Sequence, residues 1–528
     1  MFSRLLASLV LALPVAAQCP RWSSLQSVPD PAVVPHALAV FDDGSGPQLF
    51  AGGAFASFHG IPTQSCARFD GTTWRAASIP TGQELWTLRV LDLGAGPELF
   101  AGGGGLYRWS PAGWTTLSTA GGQLRDLAVF DSGAGPELYA VAWNFPGGTL
   151  LRWTGAAWSV VASSTGVLDR LTTFDDGTGP ALYVGGATTT ALGQPTGLLL
   201  RWNGTSLTTP AAQPGFPVYV LRGFDLGAGP ELIAAGATTP SGAQSEGVVA
   251  AYRGGAWVEL GAHLTDLGYS GGYVMDLELF DDQVNGPSLY AFGVFTLVTP
   301  LLVCHGVARW DGAAWRQLGT GIGGGTLTDV VAAAVLPRAG APSDLAIFGD
   351  FTSVGGLAAQ GLAAWLACNG PGAGFCAGDG LDPAVHTGCP CGNRGAPGHG
   401  CANSVHADGG VLDASGAPHN DDVLLHAGAL PARGTCLFVK TNGTVPGGFQ
   451  AGDGILCVGS SLVVLGLQPT SGGNSFYPLS GQPTVSQGGG NVVGSGQLAY
   501  YQVLYRNAAA AFCPPESLNV TNGYVIAW

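Results

Sequence analysis

One pattern recurs through most of this chain. An apolar run ends in Phe-Asp, a Gly-Pro turn follows, and a second apolar run carries Gly-Gly; then come Arg-Trp, a tight turn and Trp-x-x-Leu. The first copy reads Ala39-Val40-Phe41-Asp42, Gly46-Pro47, Leu49-Phe50-Ala51-Gly52-Gly53, Arg68-Phe69-Asp70-Gly71 and Trp74. The Gly-Pro mark returns at Pro97, Pro136, Pro180, Pro230 and Pro287, with a degenerate seventh at Ala341-Pro342. From Pro47 the successive spacings are 50, 39, 44, 50, 57 and 55 residues. Periods of this size belong to propellers and solenoids, whose units bury their apolar faces only by stacking on neighbours. Each repeat holds four strand-like pieces. Phe-Asp to Gly-Pro turns strand one into strand two. Asp70-Gly71, Thr154-Gly155, Asn203-Gly204, Gly254-Gly255 and Asp311-Gly312 turn strand three into strand four. Four antiparallel strands repeated radially form a propeller blade. A parallel β-helix would show shorter coils without regular hairpins.

The ends of the repeat region predict how the ring closes. Cys19 to Leu25 contains Trp22-x-x-Leu25, a fourth strand with no preceding three. The last repeat ends at Ala363-Ala364-Trp365 with three strands and no fourth. The expected fold is therefore all-β: a seven-bladed β-propeller over residues 18–368, its N-terminal strand closing the last blade. Cys368 follows Trp365 by three residues and Cys19 precedes Trp22 by three. A Cys19–Cys368 bridge is expected where the hairpin turn is missing; in the disputed chain-entropy account it would contribute roughly 4–5 kcal/mol.

The run Phe-Asp-x-Gly-x-Gly-Pro-x-Leu-Tyr-x-Gly-Gly, followed by Ala-Arg-Trp-Asp-Gly-x-x-Trp, resembles kelch-type and Rax2-like propeller repeats of bacterial exported proteins. The resemblance spans Cys19 to about Cys368. It departs at Leu336-Pro337, which replace Phe-Asp in the seventh copy.

Export is also read from the N-terminus. Arg4, the apolar Leu5 to Leu13 and the small-residue site Val15-Ala16-Ala17 predict a signal peptide over 1–17. No segment offers the about 18 uninterrupted apolar residues of a membrane span. The net charge is −15, and Lys440 is the one lysine. The arginines are spread over all the repeats, so phosphate backbones and anionic membranes are poor partners. A secreted or cell-surface monomer is expected.

After Cys368 the Arg-Trp pattern stops. Residues 369–375 read as a linker and 376–528 as a Cys-rich β-sandwich, with strand-like runs Val423 to His426, Cys436 to Lys440, Ile455 to Leu467, Ala499 to Tyr505 and Tyr524 to Trp528. Cys376-Ala377-Gly378, Cys389-Pro390-Cys391-Gly392-Asn393, Cys401-Ala402-Asn403-Ser404 and Leu518-Asn519-Val520-Thr521-Asn522-Gly523 resemble a C-terminal module of similar exported repeat proteins, which implies no established activity. Disulfides are expected among Cys376, Cys389, Cys391 and Cys401, and between Cys457 and Cys513. Cys66, Cys304 and Cys436 are candidates for an unpaired thiol, because eleven cysteines cannot all pair.

Catalytic signatures are sparse. Cys389, Cys391, His399 and Cys401 could hold zinc, but in an exported chain disulfides are the stronger reading. His399, His406, His419 and His426 among nearby aspartates read as polar loop. Asp42-Asp43-Gly44 and Asp175-Asp176-Gly177 suggest calcium loops only superficially; turns in which Asp accepts backbone N–H bonds explain them. His36, His59, His263 and His305 are too scattered for a copper oxidase. The repeated Arg68, Arg108, Arg152, Arg201 and Arg309 are expected to cover Trp faces or reach Asp. No cofactor and no metal are expected.

Blade order locates a candidate ligand site. The third residue before Phe-Asp is nearly always Leu (Leu38, Leu88, Leu127, Leu171, Leu221, Leu277) and should pack between blades. The fourth and fifth vary: His36, Trp86, Arg125, Asp126, Asp169, Arg170, Tyr219, Met275 and Asp276. They are expected at the channel mouth, where mixed aromatics and charges suit an extracellular glycan or protein. Three functions follow: a non-catalytic binding or adhesion platform; a glycan lyase or hydrolase using Asp126, Asp169 or Asp276; or a structural cell-envelope component.

Overall fold

Among the described residues seven antiparallel sheets follow one another along the repeats, six of four strands and one with a fifth, Leu264–Thr265, paired to Glu246–Arg253. The computed structural model describes residues 21–25, 33–144, 147–187, 190–191, 194–195, 197–238, 245–266, 271–283, 285–299, 302–325, 329–338, 341–367, 371–381, 385–459, 461–509, 512–513 and 517–528. Residues 1–17, Cys19 and Cys368 lie outside them, so the leader and the Cys19–Cys368 bridge are not described. The described residues form two compact units, one built on Arg21–Phe280 and Pro287–Leu366, the other on Ala367–Trp528 together with the short segment Asp281–Gly286.

The first sheet sets the plan: Val34–Asp42, Pro47–Ala54, Cys66–Phe69 and Trp74–Ala76, hydrogen-bonded in that order. The Phe-Asp turn forms because one carboxylate oxygen accepts two amides. Asp42 Oδ1 accepts Gly44 N at 2.8 Å and Gly46 N at 2.9 Å; Asp92, Asp131, Asp175 and Asp225 repeat the arrangement. Gly44 and Gly46 take φ of 95° and 104°, a region that penalises a Cβ. The Asp-turn explanation of these loops therefore holds. The repeated arginines reach the residue after the Gly-Pro turn more than they reach Asp: Arg68 donates to Gln48, Arg108 to Glu98 and Arg309 to Ser288, while Arg152 pairs with Glu137. Arg68 also covers Trp109, 5.3 Å from the ring centre.

Apolar clusters join neighbouring sheets. Leu88 packs with Phe50 and Ala39 of the first sheet, Leu127 with Phe100 of the second, Leu171 with Phe130 of the third, Leu221 with Ala181 of the fourth and Leu277 with Ile233 of the fifth. Leu38 completes the series against Ala332 and Phe348 of the seventh sheet. The Leu positions are thus between sheets, and the last sheet meets the first in a propeller-like ring.

The seventh sheet is composite. Arg21–Ser23 pairs antiparallel with Leu362–Leu366, placing Trp22 opposite Trp365. Complete repeats place Trp114 opposite Trp109 and Trp315 opposite Trp310 in the same way. Trp22 and Trp365 meet edge to face at 4.9 Å, as Trp109 and Trp114 do at 5.3 Å. Trp22 Nε1 donates to Leu318 O at 3.1 Å, matching Trp114 to Ala77 O at 3.0 Å and Trp315 to Leu260 O at 2.7 Å. The early strand therefore performs the full duty of a fourth strand.

In the C-terminal unit, Gly372–Phe375, Gly523–Ala527, Leu498–Arg506, Arg433–Thr441 and Val463–Ser471 form one sheet in that order, with Leu518–Val520 paired to Leu498–Arg506. Part of the expected linker 369–375 is thus an edge strand: Gly372–Phe375 satisfies its backbone on Gly523–Ala527. A second sheet, Val411–Ser415, Leu424–Gly428 and Ser475–Tyr477, shares a core with the first through Leu412, Leu425, Tyr477, Phe438, Tyr501 and Ile526. The expected single run Ile455 to Leu467 is two strands, because Gly454–Val458 leaves to pair with Thr444–Ala451 before Val463–Ser471 joins the large sheet.

The disulfides are Cys376–Cys457, Cys389–Cys401 and Cys391–Cys513. The Cys457–Cys513 pairing is corrected, and so is the closed set of the first four cysteines; Cys389–Cys401 alone stays within it. The hairpin Thr444–Ala451/Gly454–Val458 carries Cys457 to Cys376, which leaves Cys513 for Cys391. With Cys389 and Cys401 joined to each other, no thiolates remain there for zinc. Cys66, Cys304 and Cys436 are free and buried. Buried amides link the segments that the disulfides staple. Gln502 Oε1 accepts Cys457 N and Val458 N at 2.7 and 3.1 Å, and its Nε2 donates to Thr521 O at 3.0 Å. Asn522 holds Leu412 by both its N–H and its carbonyl.

Candidate ligand site at the channel mouth

The variable residues are aimed by a repeated irregularity. In six sheets the first strand's register shifts around one residue: His36, Trp86, Arg125, Asp169, Tyr219 and Val331. Such a bulge re-aims a side chain that strict alternation would bury between sheets. It also explains the second Gly of Gly-Gly. A Cβ on Gly53, Gly103, Gly186, Gly236 or Gly349 would collide with a backbone carbonyl beside the bulge, that of Val34, Glu84, Val167, Pro217 or Asp329.

His36, Trp86, Arg125, Asp126, Arg170, Met275 and Asp276 come together around one central cavity, with Arg89 and Arg222. Asp169 reaches the group through two arginines. Tyr219 stands apart from the lining and faces Tyr273 at 6.4 Å.

What they form is largely a closed set of pairs. His36 stacks on Trp86 at 3.9 Å, and the Arg125 guanidinium lies 3.8 Å over the same indole. His36 Nε2 meets Glu84 at 2.7 Å. Asp169 binds Arg125 at 3.1 Å and Arg170 at 3.2 Å. Asp126 spans three consecutive sheets: it binds Arg89 at 2.8 Å from the second, accepts its neighbour Leu127 N at 2.9 Å, and accepts Leu171 N of the fourth at 3.0 Å. Asp276 does likewise with Arg222 at 2.9 Å, Leu277 N at 2.9 Å and Ala333 N at 2.8 Å. Glu278 takes the second arm of Arg222 at 2.6 Å.

The electrostatics follow from this packing. Burial pushes the Asp126 carboxyl up, but Arg89 and Arg170 more than offset it and hold it below the ordinary carboxylate range. Glu278 goes the other way: burial lifts it, Arg222 only partly opposes, and the neighbouring Asp276 adds to the rise. Arg222 is held firmly protonated by Asp276 and Glu278 against its own burial. Burial lowers His36 despite Glu84.

The cavity amounts to about 40 Å³. That admits a few waters and falls far below the roughly 300 Å³ of a small-ligand pocket. Arg89, Arg222, Glu278 and Glu84 were missed by counting only the fourth and fifth positions before Phe-Asp. Arg89, Arg222 and Glu278 all stand two before the aromatic or Leu of that motif, so extending the count along the strand would have found them. Among the described residues no cluster of His, Cys, Asp and Glu has metal-binding geometry, and no helix is long and apolar enough to cross a membrane.

No family model and no curated relative matches the sequence. Solved structures similar to the chain include YCF48 from Cyanidioschyzon merolae, at 14% identity over 65% of this chain and 98% of that one, with a TM-score of 0.36. The GH74 xyloglucanase from Xanthomonas campestris is 14% identical over 95% of this chain and 81% of that one, with a TM-score of 0.40. BBS1N in complex with ARL6DN is 11% identical over 65% and 94%, with a TM-score of 0.36. The description of this protein as an all-β, propeller-like chain stapled by disulfides rests on its own sheets and bridges, and three disulfides fit an oxidising compartment.

Proposed function

We propose that this chain is an exported, non-catalytic binding or adhesion protein, whose seven sheets are the blades of a kelch-like propeller spanning 18–368 and serving as a platform for an extracellular glycan or protein. Cleavage after the leader 1–17 belongs to the same reading, as do the Cys19–Cys368 bridge, a monomeric state and a C-terminal β-sandwich. The observation that carries it is the state of the channel-mouth acids. Asp126, Asp169 and Asp276 are each engaged by arginine, and Asp126 and Asp276 by backbone amides as well, which leaves none of these three carboxylates poised to move a proton.

A glycan array and a surface-protein capture assay, each run with wild type, Trp86→Ala and Tyr219→Ala, test this reading. Binding weakened by Trp86→Ala would place the ligand at the mouth. Binding unchanged in both variants removes the mouth as the site, and no binding in either assay favours the structural envelope reading. A hydrolase or lyase draws support from one observation, the Glu278 carboxyl, which burial and the neighbouring Asp276 charge push up. Turnover of a glycan that disappears in Glu278→Gln or Asp169→Asn would favour it.

A further inference from the structure

The two shortest repeats are adjacent, with spacings of 39 residues from Pro97 to Pro136 and 44 from Pro136 to Pro180. In the second sheet Gly104 and Gly105 alone join Pro97–Gly103 to Leu106–Ser110, and residues 119–122 lead from Gly113–Ser118 into Gln123–Asp131. Other repeats carry padding in these places: the hairpin Ser57–Phe58/Ile61–Pro62, the added strand Leu264–Thr265, and Ile322–Gly323 beside Ser353–Val354. Without such padding a groove of about 500 Å³ lies open along the seam between the second and third sheets. That volume falls within the range of small-ligand sites, roughly 300–1,000 Å³.

The seam also lacks a bond that others make. Trp22, Trp114, Trp257 and Trp315 each donate their indole N–H to a carbonyl of the preceding sheet or the segment after it. Trp158 holds the equivalent place, but its Nε1, like that of Trp74 in the first sheet, is buried with no partner among the described residues. The indole lies against Gly121 instead, where a Cβ would be 2.9 Å from Trp158 Cδ1. Trp158 shares the groove with Asn144, Thr149, Ser118, Ser163 and Val160, the last 63% exposed, and among the described residues no charged side chain lines it. Among the described residues the Asn144 amide makes one long contact, 3.5 Å to Thr149 Oγ1, which leaves hydrogen-bonding capacity for a ligand.

An indole, an amide, three hydroxyls and no charge suit a ligand with many neutral hydroxyls and an apolar ring face. An ion would find no counter-charge. We infer that this groove binds a neutral saccharide, with Trp158 as the aromatic wall and Asn144 as the orienting amide. The inference rests on the binding-platform reading but moves the ligand from the ring's centre to its rim.

The test is an array of neutral and acidic oligosaccharides probed with the full chain and three variants. Val160→Arg alters an exposed strand position, so folding is preserved while a charge enters the groove; Asn144→Ala removes the amide. Each is expected to weaken binding of neutral sugars roughly tenfold or more, the equivalent of about 1.4 kcal/mol. Val258→Arg, a matching change at an exposed strand position of the fifth sheet, is expected to leave that binding unchanged. Neutral-sugar binding indifferent to both groove variants overturns the groove and spares the platform reading. Binding confined to acidic sugars overturns the ligand class. No sugar bound at all overturns the inference and leaves the platform reading only its protein partner.

Discussion

The propeller unit and the C-terminal unit hold β-strands together by different means. The ring does so by repetition. Asp turns, paired aromatics, Leu positions and indole N–H bonds recur from sheet to sheet, and Asp126 and Asp276 tie three consecutive sheets each. Among its described residues the two cysteines, Cys66 and Cys304, are free thiols that burial keeps protonated. The C-terminal unit has no repeat. It is cross-linked by three disulfides and by buried amides, Gln502, Asn519 and Asn522, which take the place of ladder hydrogen bonds. Repetition distributes stability over many equivalent seams, whereas cross-linking concentrates it at a few atoms.

The sharpest way to separate the two is reduction. Losing a native disulfide from a small domain costs about 2–5 kcal/mol, so losing three should unfold the C-terminal unit. Hydrogen exchange under a strong thiol reductant is expected to show its strands Arg433–Thr441 and Leu498–Arg506 opening while the ring stays protected. Equal loss in both units would break the contrast.

The ring's own weak point is electrostatic. Arg89→Met leaves Asp126 buried without its partner, which should cost about 3–5 kcal/mol by denaturant unfolding. The double variant Arg89→Met/Asp126→Leu should recover much of that. A single-variant cost below 1 kcal/mol would mean the central pairs are incidental.

The smallest expected effect is on pH. His36 is neutral when folded because burial lowers its pKa, even though Glu84 partly opposes this and Arg125 adds to it. An unfolded chain protonates His36 first, near its ordinary value of about 6.5. Ring stability should therefore fall as pH drops from neutral through that value towards the folded pKa, and level off below it. His36→Gln should flatten that part of the profile; an unchanged slope would remove His36 as its source.

The sequence made the ring legible because each blade states its own register. Asp42 with Gly44 and Gly46, Trp114 across from Trp109, and Leu88 in a seam are local features copied many times. That is why Trp22 could be assigned to Trp365 across more than 300 residues. Most of the channel residues were also placed by counting from Phe-Asp. Their partnerships were not, because whether Asp126 faces solvent or Arg89 depends on how closely seven first strands approach. The C-terminal unit was less readable for the opposite reason. Six cysteines permit 15 pairings, and no repeat indicates that the Gly454–Val458 hairpin brings Cys457 to Cys376. The groove beside Trp158 arises from missing padding in two short repeats, which the spacings of 39 and 44 residues recorded without showing what they left open.

Amide exchange across the composite sheet addresses ring closure most directly. Peptides covering Arg21–Ser23 and Leu362–Leu366 should exchange as slowly as the corresponding pair Leu106–Ser110 and Gly113–Ser118 of the second sheet. Free exchange of Arg21–Ser23 while Gly113–Ser118 stays protected would mean that the early strand does not complete the seventh sheet.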